Sequence, residues 1–246
     1  MGDLDGHGAR STLTPRGSHC EGRDRGAHLA DKYGQDNRAG SDVASVSVSD
    51  RDSVFQVRIH GRGGQGVVTA AELLSVAAFL EGREAQAFPT FGSERTGAPV
   101  VAFCRIDDTV IRVREPISEP DAVIVQDPTL LHQVDLFGGL RDDGYVLLNT
   151  ARTFGELGLG DYVGRFAAGR CMTVPATDIA REQLGRPLPN AALLGAFAAL
   201  THEVSMKSVA AAIYARFPGQ TGGQNASAAE KAYALVAGAA QEISHA

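Results

Sequence analysis

Tryptophan is absent from the 246 residues, and aromatic residues make up only 6% of them. Any core must therefore rest on Val, Leu, Ile and Ala. The three cysteines, Cys20, Cys104 and Cys171, lie far apart. That excludes a disulfide framework and any Cys-x-x-Cys pair, so the chain holds no iron–sulfur cluster of its own. A reducing, cytoplasmic compartment is the expectation. Long apolar runs are missing as well. The longest, Ala191 to Leu200 with Gly195 inside it, falls well short of the ~20 residues of a membrane-spanning helix. The N-terminus is polar and glycine-rich, without the apolar stretch of a secretory signal. Positive charge is the scarcer sign: 23 Lys and Arg against 29 Asp and Glu give a net charge of −6. That balance argues against nucleic acid or an anionic membrane as a partner. Walker A, H-E-x-x-H and G-x-S-x-G sequences do not occur, and the seven histidines are dispersed. A self-sufficient catalytic centre is not visible, and no metal site is expected.

What is present is an ordinary globular composition, 43% hydrophobic and 21% charged, of a length that suits one large α/β domain. Residues 1–52 stand apart. They are Gly, Asp, Arg and Ser with scattered Leu4, Leu13 and Leu29, too little apolar surface to offset the entropy of ordering. They read as a disordered extension, with the domain occupying 53–246. Order begins at the β-rich run Val54–His60, which enters Gly61-Arg62-Gly63-Gly64-Gln65-Gly66 directly. From Val67 to Leu80 apolar residues recur at helical spacing, and Gly82 follows as a stop. A strand near Glu84 to Phe88 completes what reads as the opening of a βαβ unit. Further strands are predicted at Val100–Ile106, Val110–Val113 across an Asp107-Asp108 turn, Ala122–Val125, Tyr145–Asn149 and Arg170–Val174, with a short helix over Thr129–Phe137. Beyond Pro189, Asn190–His202, Met206–Phe217 and Ala226–Ile243 read as alanine-rich helices. The predicted fold is α/β: a mixed, mostly parallel sheet flanked by helices, with a helical C-terminal third. Helices with so little charge, Asn190–His202 above all, are expected to turn part of their surface towards partner chains.

The sharpest chemical feature is the glycine loop, G-x-G-x-x-G between a strand and a helix. Glycines let backbone N–H groups approach an anion, and the helix start adds partial positive charge. A tight turn with no ligand is the plain alternative. A dinucleotide is disfavoured, because the second strand ends without the acidic residue that would hold a ribose. Pro89 to Pro99 follows that strand, at the carboxyl edge where open α/β sheets bind ligands. Its Ser93, Arg95 and Thr96 suit a phosphate or carboxylate, and Arg95 can engage one bidentately; an ordinary surface loop is the alternative. Asp127 or Thr129 reads as the cap of the helix that follows, and Asn149 and Asn190 read as helix caps too. His60, beside the glycine loop, reads as structural.

Several strings then match a known pattern in order: His60 to Ala70, Ala87 to Val100, Arg114-Glu115-Pro116-Ile117, Val125 to Leu131, and Asn190 to Ala196. Together they resemble the gamma subunit of pyruvate:ferredoxin and related 2-oxoacid:acceptor oxidoreductases, over about residues 54–240. The resemblance implies a subunit that is not catalytic alone. Alpha, beta and delta-type chains would carry thiamine diphosphate and the 4Fe-4S clusters, and ferredoxin would meet the assembled complex. The family reaction converts a 2-oxoacid and coenzyme A to acyl-CoA, carbon dioxide and reduced ferredoxin. The resemblance thus makes coenzyme A the expected ligand of Gly63, Gly64, Gln65, Gly66, Ser93, Arg95 and Thr96. Pyruvate is the leading substrate, with 2-oxoisovalerate and 2-oxoglutarate as alternatives. A stand-alone nucleotide-binding module is the competing reading from another class.

Overall fold

A computed structural model describes residues 54–90 and 96–244. The N-terminal extension, Ser93 and Arg95 lie outside these described residues. Six strands and six helices follow in chain order: β1 Phe55–Arg62, α1 Val67–Leu80, β2 Glu84–Pro89, β3 Pro99–Asp107, β4 Ala122–Val125, β5 Tyr145–Asn149, α2 Gly160–Val163, β6 Cys171–Val174, α3 Ala176–Leu184, α4 Asn190–Thr201, α5 Met206–Arg216 and α6 Gln220–Ser244. A 3-10 turn at Pro128–His132 follows β4.

The strands form one sheet in the order β2-β3-β1-β4-β5-β6. β1, β4, β5 and β6 pair in parallel, and β3 runs antiparallel to both β1 and β2. Five strands therefore share a direction and one opposes them: mixed and mostly parallel, as the sequence predicts. The expected βαβ opening is corrected in one respect. β1 and β2 run the same way, but β3 has inserted between them. The described ends of the β2–β3 connection, Thr90 and residues 96–98, consequently lie at the same sheet edge as the glycine loop.

Alternation along the strands divides two cores. Val57, Ile59, Ala122, Ile124, Leu147 and Val174 face α1 and α3–α6. Val123, Val125, Val146 and Leu148 face the 3-10 turn, α2 and the irregular chain around them, which carry Leu130, Leu136, Phe137, Leu159 and Tyr162. On the helical side α4 is enclosed on every side, with all twelve residues from Asn190 to Thr201 buried. The expectation that this helix turns to a partner chain is therefore overturned. Its small residues let α6 approach instead: a Cβ on Gly195 would fall 1.9 Å from the Ala229 carbonyl oxygen. α6 also begins at Gln220, six residues before the expected start at Ala226. Gly222 is needed there, because a Cβ on it would lie 2.0 Å from the Phe217 carbonyl oxygen.

One predicted element is absent and another is cut short. Val110–Val113 is not a strand, since β3 already has β1 and β2 on its two edges and offers no ladder for a hairpin. The Arg105 guanidinium holds that segment instead, donating to the carbonyls of Val113 and Glu115 at 3.3 and 2.7 Å. The helix expected over Thr129–Phe137 stops as the 3-10 turn. Arg58 takes the carbonyls of Leu136 and Gly138, at 3.0 and 2.7 Å, out of helical pairing.

Candidate functional site

At the carboxyl edge β1 runs into the glycine loop, and β3 beside it begins at Pro99, the partner of Arg62 in the ladder. The loop continues that pairing beyond the strands. Gly63 N donates to Ala98 O at 2.9 Å, Gly97 N donates to Gly63 O at 3.1 Å, and Gly63 bridges Thr96. The structure thus brings together the glycine loop and Thr96, two of the segments singled out in the sequence.

Gly64 and Gly66 have φ of +94° and +76°, the left-handed region where a side chain is strained. Gly66 is the residue preceding α1, and no side chain caps the helix there. Among the described residues the N–H groups of its first turn consequently have no acceptor, with the positive end of the helix dipole behind them. A Cβ on Gly66 would lie 2.7 Å from Asn190 Nδ2, so the start of α4 packs directly against the start of α1. A cleft of about 440 Å³ opens in front. Gly63, Gly64 and Gly66 with Val67–Thr69 form one wall, and Thr96 and Val100 the other.

Arg62 and Gln65 do not point into this cleft as free groups. Gln65 Oε1 accepts from Arg62 N at 2.8 Å, and Gln65 Nε2 donates to Asp127 Oδ2 at 2.9 Å. Arg62 donates through Nε to Asp127 Oδ2 at 3.1 Å, through Nη1 to Gly97 O at 3.0 Å, and through Nη2 to Thr129 Oγ1 and Gln133 Oε1 at 2.7 and 3.1 Å. Asp127 Oδ1 accepts from the N–H and hydroxyl of Thr129 at 2.9 and 2.6 Å. Burial would raise this carboxyl, but the Thr129 and Gln65 hydrogen bonds and the Arg62 charge outweigh it and hold it below its ordinary value. With the Gly63 N–H and the Gln65 side chain engaged inside the protein, the donors left for an anion are those around Gly64, Gly66 and the first turn of α1.

The other polar residues divide. Asp127 caps its own turn as expected and also ties down the loop. Asn149 does not cap the chain that follows it. It accepts from Thr177 N at 3.0 Å, capping α3 across the sheet edge, and donates to Gln126 O at 2.7 Å. Asn190 is not a cap either but the first residue of α4, whose cap position is Pro189. Its Oδ1 and both amide atoms of Gln126 are buried without a hydrogen-bond partner among the described residues, a polar seam behind the loop. His60 is 5% exposed and faces away from the helices; burial, with Arg58 adding to it, pushes its imidazole down to about 3. It is neutral and structural.

No group of three or more His, Cys, Asp or Glu could hold a metal ion among the described residues. Cys104 on β3 and Cys171 on β6 sit on well-separated strands, and burial pushes each thiol up to about 12. They do not fit an iron–sulfur cluster. No described helix is long and apolar enough to cross a membrane.

The family model of pyruvate ferredoxin/flavodoxin oxidoreductase matches residues 56–235. The chain belongs to that family. Its relatives are subunits matched along nearly their whole length. The pyruvate synthase subunit PorC of Methanothermobacter marburgensis is 50% identical over 180 residues, covering 73% of this chain and 96% of that one. The common gamma subunit of the pyruvate/ketoisovalerate oxidoreductases of Thermococcus kodakarensis is also 50% identical over 180 residues, with the same coverage. Among solved structures, the pyruvate oxidoreductase subunit PORC of Thermotoga maritima is similar at a TM-score of 0.62 and 35% identity, covering 74% of this chain and 96% of its own. The family match begins at Gln56, one residue into β1.

Proposed function

We infer that this chain is the gamma-type subunit of a 2-oxoacid:ferredoxin oxidoreductase of the pyruvate class, and that its glycine cleft receives the phosphate groups of coenzyme A. The acting unit is residues 53–246. The observation that carries the ligand assignment is the uncapped start of α1 opening into a cleft walled by Gly63, Gly64, Gly66 and Thr96. Such a surface is built of backbone donors, which suits phosphate oxygens. Of the substrates in the reaction, coenzyme A is the one that carries phosphates.

In this reading alpha, beta and delta-type chains supply thiamine diphosphate and the 4Fe-4S clusters, and ferredoxin docks on the complex in the cytoplasm. Thiamine diphosphate supplies the decarboxylation chemistry on its own chain. The present chain binds and orients: Gly64, Gly66 and the first turn of α1 hold phosphate oxygens, Ser93 and Thr96 add hydroxyls, and Arg95 adds charge. The 2-oxoacid pocket lies on other chains. A gamma chain shared between a pyruvate and a ketoisovalerate enzyme, as in the relative from Thermococcus, favours that division.

The test is Arg95→Ala in the reconstituted complex. Loss of a charge-assisted contact worth about 1.5–3 kcal/mol corresponds to roughly a ten- to hundredfold rise in KM for coenzyme A. KM for the 2-oxoacid should hold its starting value. A variant losing 2-oxoacid affinity at unchanged coenzyme A affinity would move Arg95 to the decarboxylation site and end the assignment.

A further inference from the structure

A carboxylate has room for about four donors, and Asp127 receives four, at 2.6–3.1 Å, divided between its two oxygens. The division follows the fold. Oδ1 serves the turn after β4, through Thr129; Oδ2 serves the loop after β1, through Arg62 and Gln65. Those two strands are parallel neighbours, so their carboxyl ends meet at one edge. Arg62, held at Nε by Asp127, reaches with Nη1 across to Gly97 O, the backbone next to Thr96. One side chain thereby links both walls of the cleft. The loop between them contains two left-handed glycines, and Gln65 ties it back upon itself, its N–H donating to Arg62 O at 3.0 Å and its Oε1 accepting from Arg62 N.

We propose that Asp127 is the positioning residue of this cleft, holding Arg62 and Gln65 so that the glycine loop and the Thr96 wall stand ready for a phosphate-bearing ligand. The proposal rests on the coenzyme A reading above. Asp127 does not touch the ligand. Without it the loop samples other arrangements, and only the fraction in the open-walled form binds, so apparent affinity falls with that fraction. A role limited to balancing charge makes the opposite forecast: freeing the Arg62 guanidinium beside the cleft would tighten anion binding.

The experiment uses the complete reconstituted complex, coenzyme A as the probe, and the variants Asp127→Ala, Asp127→Asn, Arg62→Ala with Asp127→Ala, and Val68→Asp. Asp127→Ala should raise KM for coenzyme A by roughly five- to thirtyfold, with kcat and KM for pyruvate within about twofold of the unmodified complex. The double variant should be no worse than about twofold beyond Asp127→Ala, because partners acting as one unit are not additive. Asp127→Asn preserves the Thr129 contact and so the turn; it should raise the same constant and supplies the answer if the alanine variant fails to assemble. Unchanged or lowered KM for coenzyme A in the assembled Asp127 variants, or effects that multiply in the double variant, would overturn the proposal. Val68→Asp sets a negative charge against the start of α1 and reports on the ligand reading separately. If it raises KM for coenzyme A while the Asp127 variants do not, the positioning role fails and the ligand reading stands. If neither moves it, the ligand reading fails and takes this proposal with it.

Discussion

His60 combines full burial with a neighbouring positive charge. Its imidazole sits at about 3, against 6.5 when free. Between those values the unfolded chain binds a proton that the folded chain refuses, so folding is favoured above pH 6.5 and loses ground as pH falls. The slope contributed approaches ~1.4 kcal/mol per pH unit across the middle of that window. His60→Gln should flatten the acid limb of a plot of melting temperature against pH, with little change at pH 8. An equally steep limb in the variant would show that carboxylates alone set it. The sequence allowed this structural reading of His60, because a lone histidine inside a β-rich run points to the interior. It did not reveal the larger role of Asp127. Arg62 and Gln65 bond a residue 65 and 62 positions away, and nothing local marks Asp127 as more than a cap. Knowing that β1 and β4 are adjacent and parallel would have disclosed it.

Elements whose evidence is local were legible almost to the residue: α1 from its apolar spacing, β4 and β5 from short β-branched and leucine runs between turn formers. Elements that depend on neighbours were not. Val110–Val113 has strand composition but no free strand to join, and α3 goes unmarked in sequence because its start is capped by Asn149 from another strand. The apolar character of α4 was visible, while its cause was misassigned: a helix apolar on all sides is one enclosed by its own chain as readily as one awaiting a partner. Gly195 tests the enclosure. Gly195→Ala drives a methyl into the Ala229 backbone, which α4 and α6 can accommodate only by separating. The cost should be on the order of 1–3 kcal/mol or more, read as a clear fall in melting temperature. Gly223→Ala, with nothing within 4 Å of the added methyl, should be neutral or slightly stabilising through its helix propensity. Equal melting temperatures for the two variants would contradict the close α4–α6 packing.

At the scale of the whole molecule, a glycine-edged cleft and a sheet with two hydrophobic cores coexist, among the described residues, with two free thiols on separate strands, Cys104 buried and Cys171 half-buried. The chain's family is one of multi-subunit oxidoreductases. The described residues that carry the resemblance lie mainly at the carboxyl edge and along α4, which is why family and fold could be read together from sequence. The partner-facing surface could not, because it is fixed by chains outside this sequence. The central claim is that this protein works only as part of such an assembly. The most direct test is to recover the tagged chain from its native cells and assay what accompanies it. The account predicts recovery of thiamine diphosphate-containing and iron–sulfur chains together with coenzyme A-dependent oxidation of a 2-oxoacid coupled to ferredoxin reduction. Reproducible recovery of the chain alone, from extracts in which that activity is intact, would contradict it.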